Sequence, residues 1–350
     1  AVNVASRPGT NTYHGEAFYL FRDKALSANF PGGVDAPYQR NQFGGSLGGF
    51  LIKNKLFWFG NAERVKQDLA SPISLTNFPS LSGVSSTPFK EIVSLGRLDW
   101  NATNNLKMFY RINYDNNDGT TNTLPNYSTF LNTNNSVAHG VGADWTMGSF
   151  THAFRFGYTK FTNHIADAPN RVNDLFPGAQ VRVSDFRGGP NPLAPQATFQ
   201  TNKQIKYDGG KVAGAHVLRY GVGFNRIEGG GFANFFGLAP SIRSSAAFAA
   251  EAASGPFPGG TDNPLNYPVT QIVIGNGQGF FTETSAFGYP AGGQKDNRLQ
   301  LYFGDSWKVR PNITLTAGIR YVRDTGRTDS DLAPIPCSAI DTTVFSIVPP

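Results

Sequence analysis

Long two-faced segments, separated by gaps of strictly alternating length, dominate this chain. In "NLKMFYRINY", Leu106, Met108, Tyr110, Ile112 and Tyr114 share one side of an extended backbone, and Lys107, Phe109, Arg111 and Asn113 share the other. The same two-residue period runs through "HVLRYGVGF" (216–224) and "NITLTAGIRY" (312–321). It marks strands with one apolar and one polar face. Strands are expected over 12–22, 41–51, 55–64, 92–101, 105–114, 137–146, 150–160, 202–212, 215–226, 296–308 and 312–323. Most run to about ten residues, where soluble sheets favour about five or six, and a bilayer-crossing strand needs about 9–11.

The gaps carry the second constraint. Short ones fall at 52–54, 102–104, 147–149, 213–214 and 309–311, and long polar ones at 23–40, 65–91, 115–136, 161–201 and 227–295. Short and long alternate without exception, as in outer-membrane barrels with tight periplasmic turns and long extracellular loops. All four tryptophans, Trp58, Trp100, Trp145 and Trp307, lie beside a short gap. Indole rings favour the membrane–water interface, so four at one level make half of an aromatic girdle. A weak repeat accompanies them. Asp99-Trp100, Asp144-Trp145 and Asp305-Ser306-Trp307 end one strand, and Arg111-Ile112, Arg155-Phe156, Arg219-Tyr220 and Arg320-Tyr321 lie on ascending ones.

Composition agrees with an all-β chain: 40 Gly, 29 Phe and 13 Tyr stand against 2 Met and 1 Cys in 350 residues. The lone Cys337 excludes an internal disulfide and a multi-cysteine metal site. The net charge of +6 invites a nucleic-acid reading. The basic residues Arg97, Lys107, Arg111, Arg155, Arg219 and Arg320 are scattered singly, however, and a nucleic-acid footprint needs a patch. No nucleic-acid partner is expected.

Several motifs lose their chemistry in context. Gly44-Gly45-Ser46-Leu47-Gly48 matches G-x-S-x-G, the elbow that presents a nucleophilic serine. That elbow needs a helix after the turn, and "LIKNKLFWFG" follows instead, which reads as a hairpin. The glycines then serve bulges or close backbone approach, and Ser46 is a small wall residue. "GVGFNR" and "GNGQGF" each lack the last glycine of a dinucleotide fingerprint, at Arg226 and Phe280. His14, His139, His152, His164 and His216 show no metal-ligand spacing and read as wall or interface residues. "DNNDG" (115–119) and "DTGRTDSD" (324–331) are turns in preference to calcium loops. No catalytic, cofactor-binding or metal-binding residue is expected, and no enzyme.

Three blocks carry a resemblance: "NVASRPGTNTYHGEAFYLFRDKALSAN", "RNQFGGSLGGFLIKNKLFWFGNAERV" and "LYFGDSWKVRPNITLTAGIRYVRDT". They resemble TonB-dependent outer-membrane receptors, and among them the Oar-like type. The resemblance implies a plug domain inside a barrel of about 22 strands. Residues 1–11 would be the tail of the plug, and 12–350 the N-terminal half of the barrel, about eleven strands. The chain opens in mid-pattern and ends without an aromatic-terminated last strand, so it is expected to be an internal fragment.

The implied function is energy-driven import across the outer membrane of a Gram-negative bacterium. Its partners would be outer-membrane lipid, a TonB-type coupling complex reached through a missing N-terminal segment, and an extracellular ligand of oligosaccharide or peptide type. Two alternatives stay open: a passive, structural or adhesive outer-membrane barrel, and a secreted soluble β-sandwich binding protein. The longest gaps, 161–201 and 227–295, are the expected place of ligand capture. Their aromatics (Phe232, Phe235, Phe236, Phe280 and Phe281) either meet the ligand or pack together as a lid over the barrel mouth.

Overall fold

The computed structural model describes residues 6–28, 36–122, 124, 126–275 and 293–325. In chain order its strands are β1 (His14–Asp23), β2 (Tyr38–Ile52), β3 (Leu56–Ile73), β4 (Gly83–Ser86), β5 (Phe89–Asn101) and β6 (Leu106–Thr121). There follow β7 (Phe130–Met147), β8 (Phe150–Asp167), β9 (Gln180–Val183), β10 (Phe186–Gly188) and β11 (Gln196–Ala213). The last are β12 (His216–Ala233), β13 (Ser241–Ser244), β14 (Gln271–Val273), β15 (Gln294–Arg310) and β16 (Ile313–Asp324). The main sheet runs β1-β2-β3-β5-β6-β7-β8-β11-β12-β15-β16, with β4 attached to β3. These are the eleven strands that the alternation marks, in an unbroken antiparallel meander. β1 and β16 each have one neighbour, so the sheet does not close on itself.

The short gaps are the tight turns expected. Two-residue turns at 148–149, 214–215 and 311–312 join β7 to β8, β11 to β12 and β15 to β16. Gly148 and Gly214 open theirs with φ of 58° and 59°, the left-handed first position that matches the twist of the flanking strands.

Most strands are longer than the sequence indicates, chiefly at the long-loop end, although β15 also gains two residues at its short turn. β3, β7, β8, β11 and β12 each reach 18 residues. "DNNDG", expected as a turn, continues β6 instead: Asp115–Gly119 pair with Phe89–Val93 on one side and Asn132–Ser136 on the other. Both faces are polar there, so hydropathy stops alternating while the hydrogen-bond ladder goes on.

Register sorts the sheet into two faces. One line of partners runs Trp58, Leu98, Tyr110, Val141, Phe156, Ile205, Phe224, Leu299. The adjacent line on the other face runs Arg97, Arg111, Gly140, Gly157, Gln204, Asn225, Arg298, Asp324. The first face is apolar yet open, with Ile319 74% and Leu315 56% exposed. Water does not tolerate so large an apolar patch, and lipid does.

The repeat around the tryptophans follows from the pleat. All four rings are on the apolar face beside the short turns, where Trp145 stacks on His152 at 4.6 Å and Trp307 on His216 at 5.5 Å. Asp99 and Asp144 precede their tryptophans by one residue and so point to the polar face, where they hold Arg97 and Arg155 at 2.6 Å. Asp305 precedes Trp307 by two and shares its face, where it bonds His216 Nδ1 at 2.6 Å. The three units are thus two different devices. The arginine that precedes an aromatic or aliphatic residue lies on the polar face each time.

A second sheet, ordered β10-β9-β13-β14, grows from the long loops at the other end. Its core is Phe78, Tyr127, Val181, Val183 and Phe186, joined by Ile73, Leu75, Ala252 and Tyr267. Phe78 meets the rings of Tyr267 and Phe186 edge-on at 5.5 and 6.0 Å. The aromatics that pack together in the cap are thus Phe78, Tyr127, Phe186 and Tyr267 and not those singled out in the sequence: Phe232 belongs to β12, Phe235 remains 49% exposed and Phe236 is half-buried. Leu75, Phe78 and Tyr127 come from the gaps around 74–82 and 122–129, which the sequence leaves outside the lid. β14 is the short strand suggested by "TQIVIGNGQGFF"; Phe280, Phe281, Cys337 and residues 326–331 lie outside the described residues.

Candidate functional site

The polar face gathers what the sequence scatters. Arg97, Lys107, Arg111, Arg155, Arg219 and Arg320, spaced singly along the chain, all project from it. Arg97 and Arg111 are direct cross-strand partners. The guanidinium groups of Arg97 and Arg155 flank the Phe109 ring at 4.8 and 5.3 Å. Near the short turns this face forms a trough of about 720 Å³ in which Lys107, Asp144, Asp208, Arg219 and Tyr302 meet. Tyr302 donates to Asp208 Oδ1 at 2.6 Å.

The segment before β1 lies against the same face. Arg97 donates to the Ser6 carbonyl at 3.1 Å and to Ser6 Oγ at 2.6 Å. Gly9 sits so close to the backbones of Trp58 and Gly49 that a Cβ there would collide with them. Asn11 then donates from Nδ2 to Asn54 Oδ1 in the β2–β3 turn and accepts from the Asn54 backbone N–H at Oδ1. Glycine at 9 is required by close approach.

Ser46 projects from this face in mid-strand with Glu16 Oε1 at 3.4 Å; His14, its diagonal neighbour opposite Gly48, turns its Nδ1 to Thr10 and Thr12 instead. A Cβ at Gly49 would collide with the Tyr13 ring, and the β2–β3 register shifts between Phe50 and Ile52. The glycines of "GGSLGG" thus serve close packing, as expected. His139 and His152 share hydrogen bonds with Tyr110 and Tyr207 on the apolar face, at 2.8 and 2.7 Å. Among the described residues no cluster of three His, Cys, Asp or Glu side chains could hold a metal ion.

Beneath the cap the polar face changes character. Asn134 donates to Asn117 at 2.9 Å, and Asn163 bridges Asn132 and Asn134 at 2.6 and 2.8 Å. This amide ladder borders a cleft of about 450 Å³ lined by Gln67, Asn117, Asn126, Asn132 and hydroxyl groups around the Phe89 ring. Asparagine-rich runs ("DNNDG", "LNTNNS") were its signal in the sequence.

A carboxylate and an amide are among the groups that fasten the loops of the cap together and to the cleft. Asp185, in the β9–β10 turn, accepts from the backbone N–H groups of Thr76 and Asn77 and from Asn77 Nδ2. Burial alone would raise its pKa, but these bonds outweigh it and hold the carboxyl below the usual range. Asn126 donates to the Asp185 carbonyl at 2.6 Å and accepts from the Arg187 N–H at 2.8 Å.

A meander of long strands, apolar on one face, ringed by tryptophan at one edge and capped by loops at the other, is the wall of a membrane-spanning barrel. The chain belongs to the outer membrane beta barrel domain family, whose model matches residues 5–86 and 77–333. It is accordingly an outer-membrane protein and not an enzyme, and the polar face is the lumen side. The fold is shared with the outer membrane transporter YddB from Escherichia coli at 14% identity and a TM-score of 0.54, covering 83% of this chain and 34% of that one. It is shared also with the siderophore receptor PirA from Acinetobacter baumannii, at 13% identity and a TM-score of 0.52 over 91% of this chain and 40% of that one. A variant of the ferric enterobactin receptor PfeA from Pseudomonas aeruginosa matches at 12% identity and a TM-score of 0.50, again over 91% and 40%. The chain thus spans 34% to 40% of the length of these proteins. No curated protein sequence matches it.

Proposed function

We propose that this chain is the N-terminal half of the barrel of a TonB-dependent outer-membrane importer of the Oar-like type. Residues 1–11 would be the end of a plug domain and 12–350 the wall with its extracellular loops. The observation that carries this reading is the segment 6–11 held on the lumen side, where Arg97 clasps Ser6 and Gly9 fits against bare backbone. A chain that enters the wall from within the lumen is what a preceding plug requires. The likeness to a transporter and to siderophore receptors supports import, while their names say nothing of this chain's ligand.

Capture is assigned to the cap and to the amide-lined cleft beneath it. Amide and hydroxyl groups around one aromatic ring suit a hydrogen-bonding oligomer such as an oligosaccharide. The test uses cells that make the full-length protein and are fed labelled oligosaccharide mixtures. Uptake should stop when an uncoupler collapses the inner-membrane gradient or when the coupling complex is deleted. Uptake that continues under both conditions identifies a passive barrel instead. Deleting 234–292, which removes β13 and β14, should leave barrel assembly intact and abolish uptake.

A further inference from the structure

The cap sheet places three arginines in register. Arg187 on β10 is directly opposite Arg182 on β9, and Arg182 is directly opposite Arg243 on β13. Cross-strand partners share a face, so the three guanidinium groups form one row about 10 Å long at the ~4.8 Å strand spacing. The hydrophobic side of the sheet is the other one, where Val181, Val183 and Phe186 are buried.

All three arginines are half-buried, and among the described residues none of them enters an ion pair. Arg243 reaches neutral partners: Ser241 Oγ at 3.4 Å, Gln271 Oε1 at 3.3 Å and the Phe236 ring at 5.9 Å. Burial first, and then the charges of Arg182 and Arg243, hold the Arg187 pKa below the usual guanidinium range. Like charges directly opposite one another destabilise a sheet. The fold therefore gains nothing from this row unless something negative occupies it.

Its place suits a ligand. Gln180 and Ser241 share the arginine face, and Gln180 donates to Ser128 Oγ at 2.8 Å at the foot of β7. The Arg187 backbone bonds Asn126, which lines the amide cleft. The row thus adjoins both the rim of the wall and the cleft.

We propose that Arg187, Arg182 and Arg243 form the anion-recognising part of the capture site, and that the ligand is an acidic oligosaccharide. Its carboxylate groups would take the fork geometry of guanidinium in charge-assisted bonds, with its hydroxyls in the amide cleft. This rests on the capture site proposed above and sharpens its ligand class.

The test is binding to the purified full-length protein in neutral detergent, without cells. The probes are oligogalacturonate, maltohexaose, polyglutamate and lipopolysaccharide, and each titration is paired with the unfolding temperature of the cap. Oligogalacturonate should bind and raise that temperature. Arg182→Gln and Arg243→Gln should each weaken it about tenfold or more, while the ligand-free caps of the variants unfold at the same temperature or higher because repulsion is relieved. Maltohexaose should bind the variants as it binds the parent protein. Equal oligogalacturonate affinity in parent and variants overturns the proposal, and so does tighter binding of polyglutamate or lipopolysaccharide, or a ligand-free cap that the substitutions destabilise. Binding that depends on the arginines without energy-dependent uptake in cells would uphold this site and count against the importer reading alone.

Discussion

The wall and the cap are built from one chain on opposite plans. Among the described residues the largest fully buried side chains, Tyr127, Phe78, Phe186, Ser128 and Ser241, all belong to the cap or its anchorage. The wall has hardly any core: its apolar side chains point outward from a sheet one layer thick. The cap is a small water-facing fold that buries aromatics against one another, whereas the wall spends its apolar surface on lipid and its polar surface on the lumen. One chain can hold both because a β-barrel needs only a continuous ladder, not a filled interior on both faces.

The sharpest way to separate the two plans is to remove a cap ring. Phe186→Ala should cost the cap about 3–5 kcal/mol, enough to open it, while the wall still assembles. Surface proteolysis of whole cells should then cut within 168–195 and 234–275, and the barrel should keep its resistance to denaturant. A variant whose cap resists protease would show that the cap does not depend on its own core.

The converse test acts on the wall alone. Leu315 and Thr316 are consecutive in β16 and face opposite ways, Leu315 outward and Thr316 toward Ser306 at 3.2 Å. Leu315 itself pairs with the interfacial Trp307, so the outward probe is Ile319, four residues farther from the turn on the same face. In the complete barrel Ile319→Arg should cost about 2–4 kcal/mol at mid-membrane depth, and Thr316→Arg well under half of that. Unfolding in lipid vesicles measures both, and equal losses would reverse the assignment of inside and outside.

A third prediction concerns the fastening between loops. Because the carboxyl of Asp185 has a folded pKa below its unfolded value, its contribution is present above about pH 4 and fades as pH falls through the lower folded value. Asp185→Asn should cost the cap about 1–3 kcal/mol at neutral pH and remove that part of its acid sensitivity. Protease resistance of the cap against pH, in parent and variant, checks both. The smallest effect is reserved for the serine in the hydrolase-like motif: Ser46→Ala should change barrel stability by no more than about 0.5 kcal/mol and leave uptake unaltered.

Strand number, strand order, turn positions and the facing of Leu106, Arg111, Ile319 and Arg320 were all legible in the sequence. Each depends on neighbours two residues apart or on a turn of a few residues, and such signals are local. The pleat then converts Asp99-Trp100 into a lumen ion pair and an interfacial ring without further information.

Only the tertiary structure decided the cap, because its contacts have no period. Asn77 and Asp185 are 108 positions apart, and Arg182 and Arg243 become neighbours through a parallel pairing of two four-residue strands. It also decided the true strand ends, since asparagine and aspartate on both faces of 115–121 leave the ladder intact while erasing its hydropathy. The lone basic residues that looked scattered became one lumen face for the same reason: register joins positions that sequence distance keeps apart.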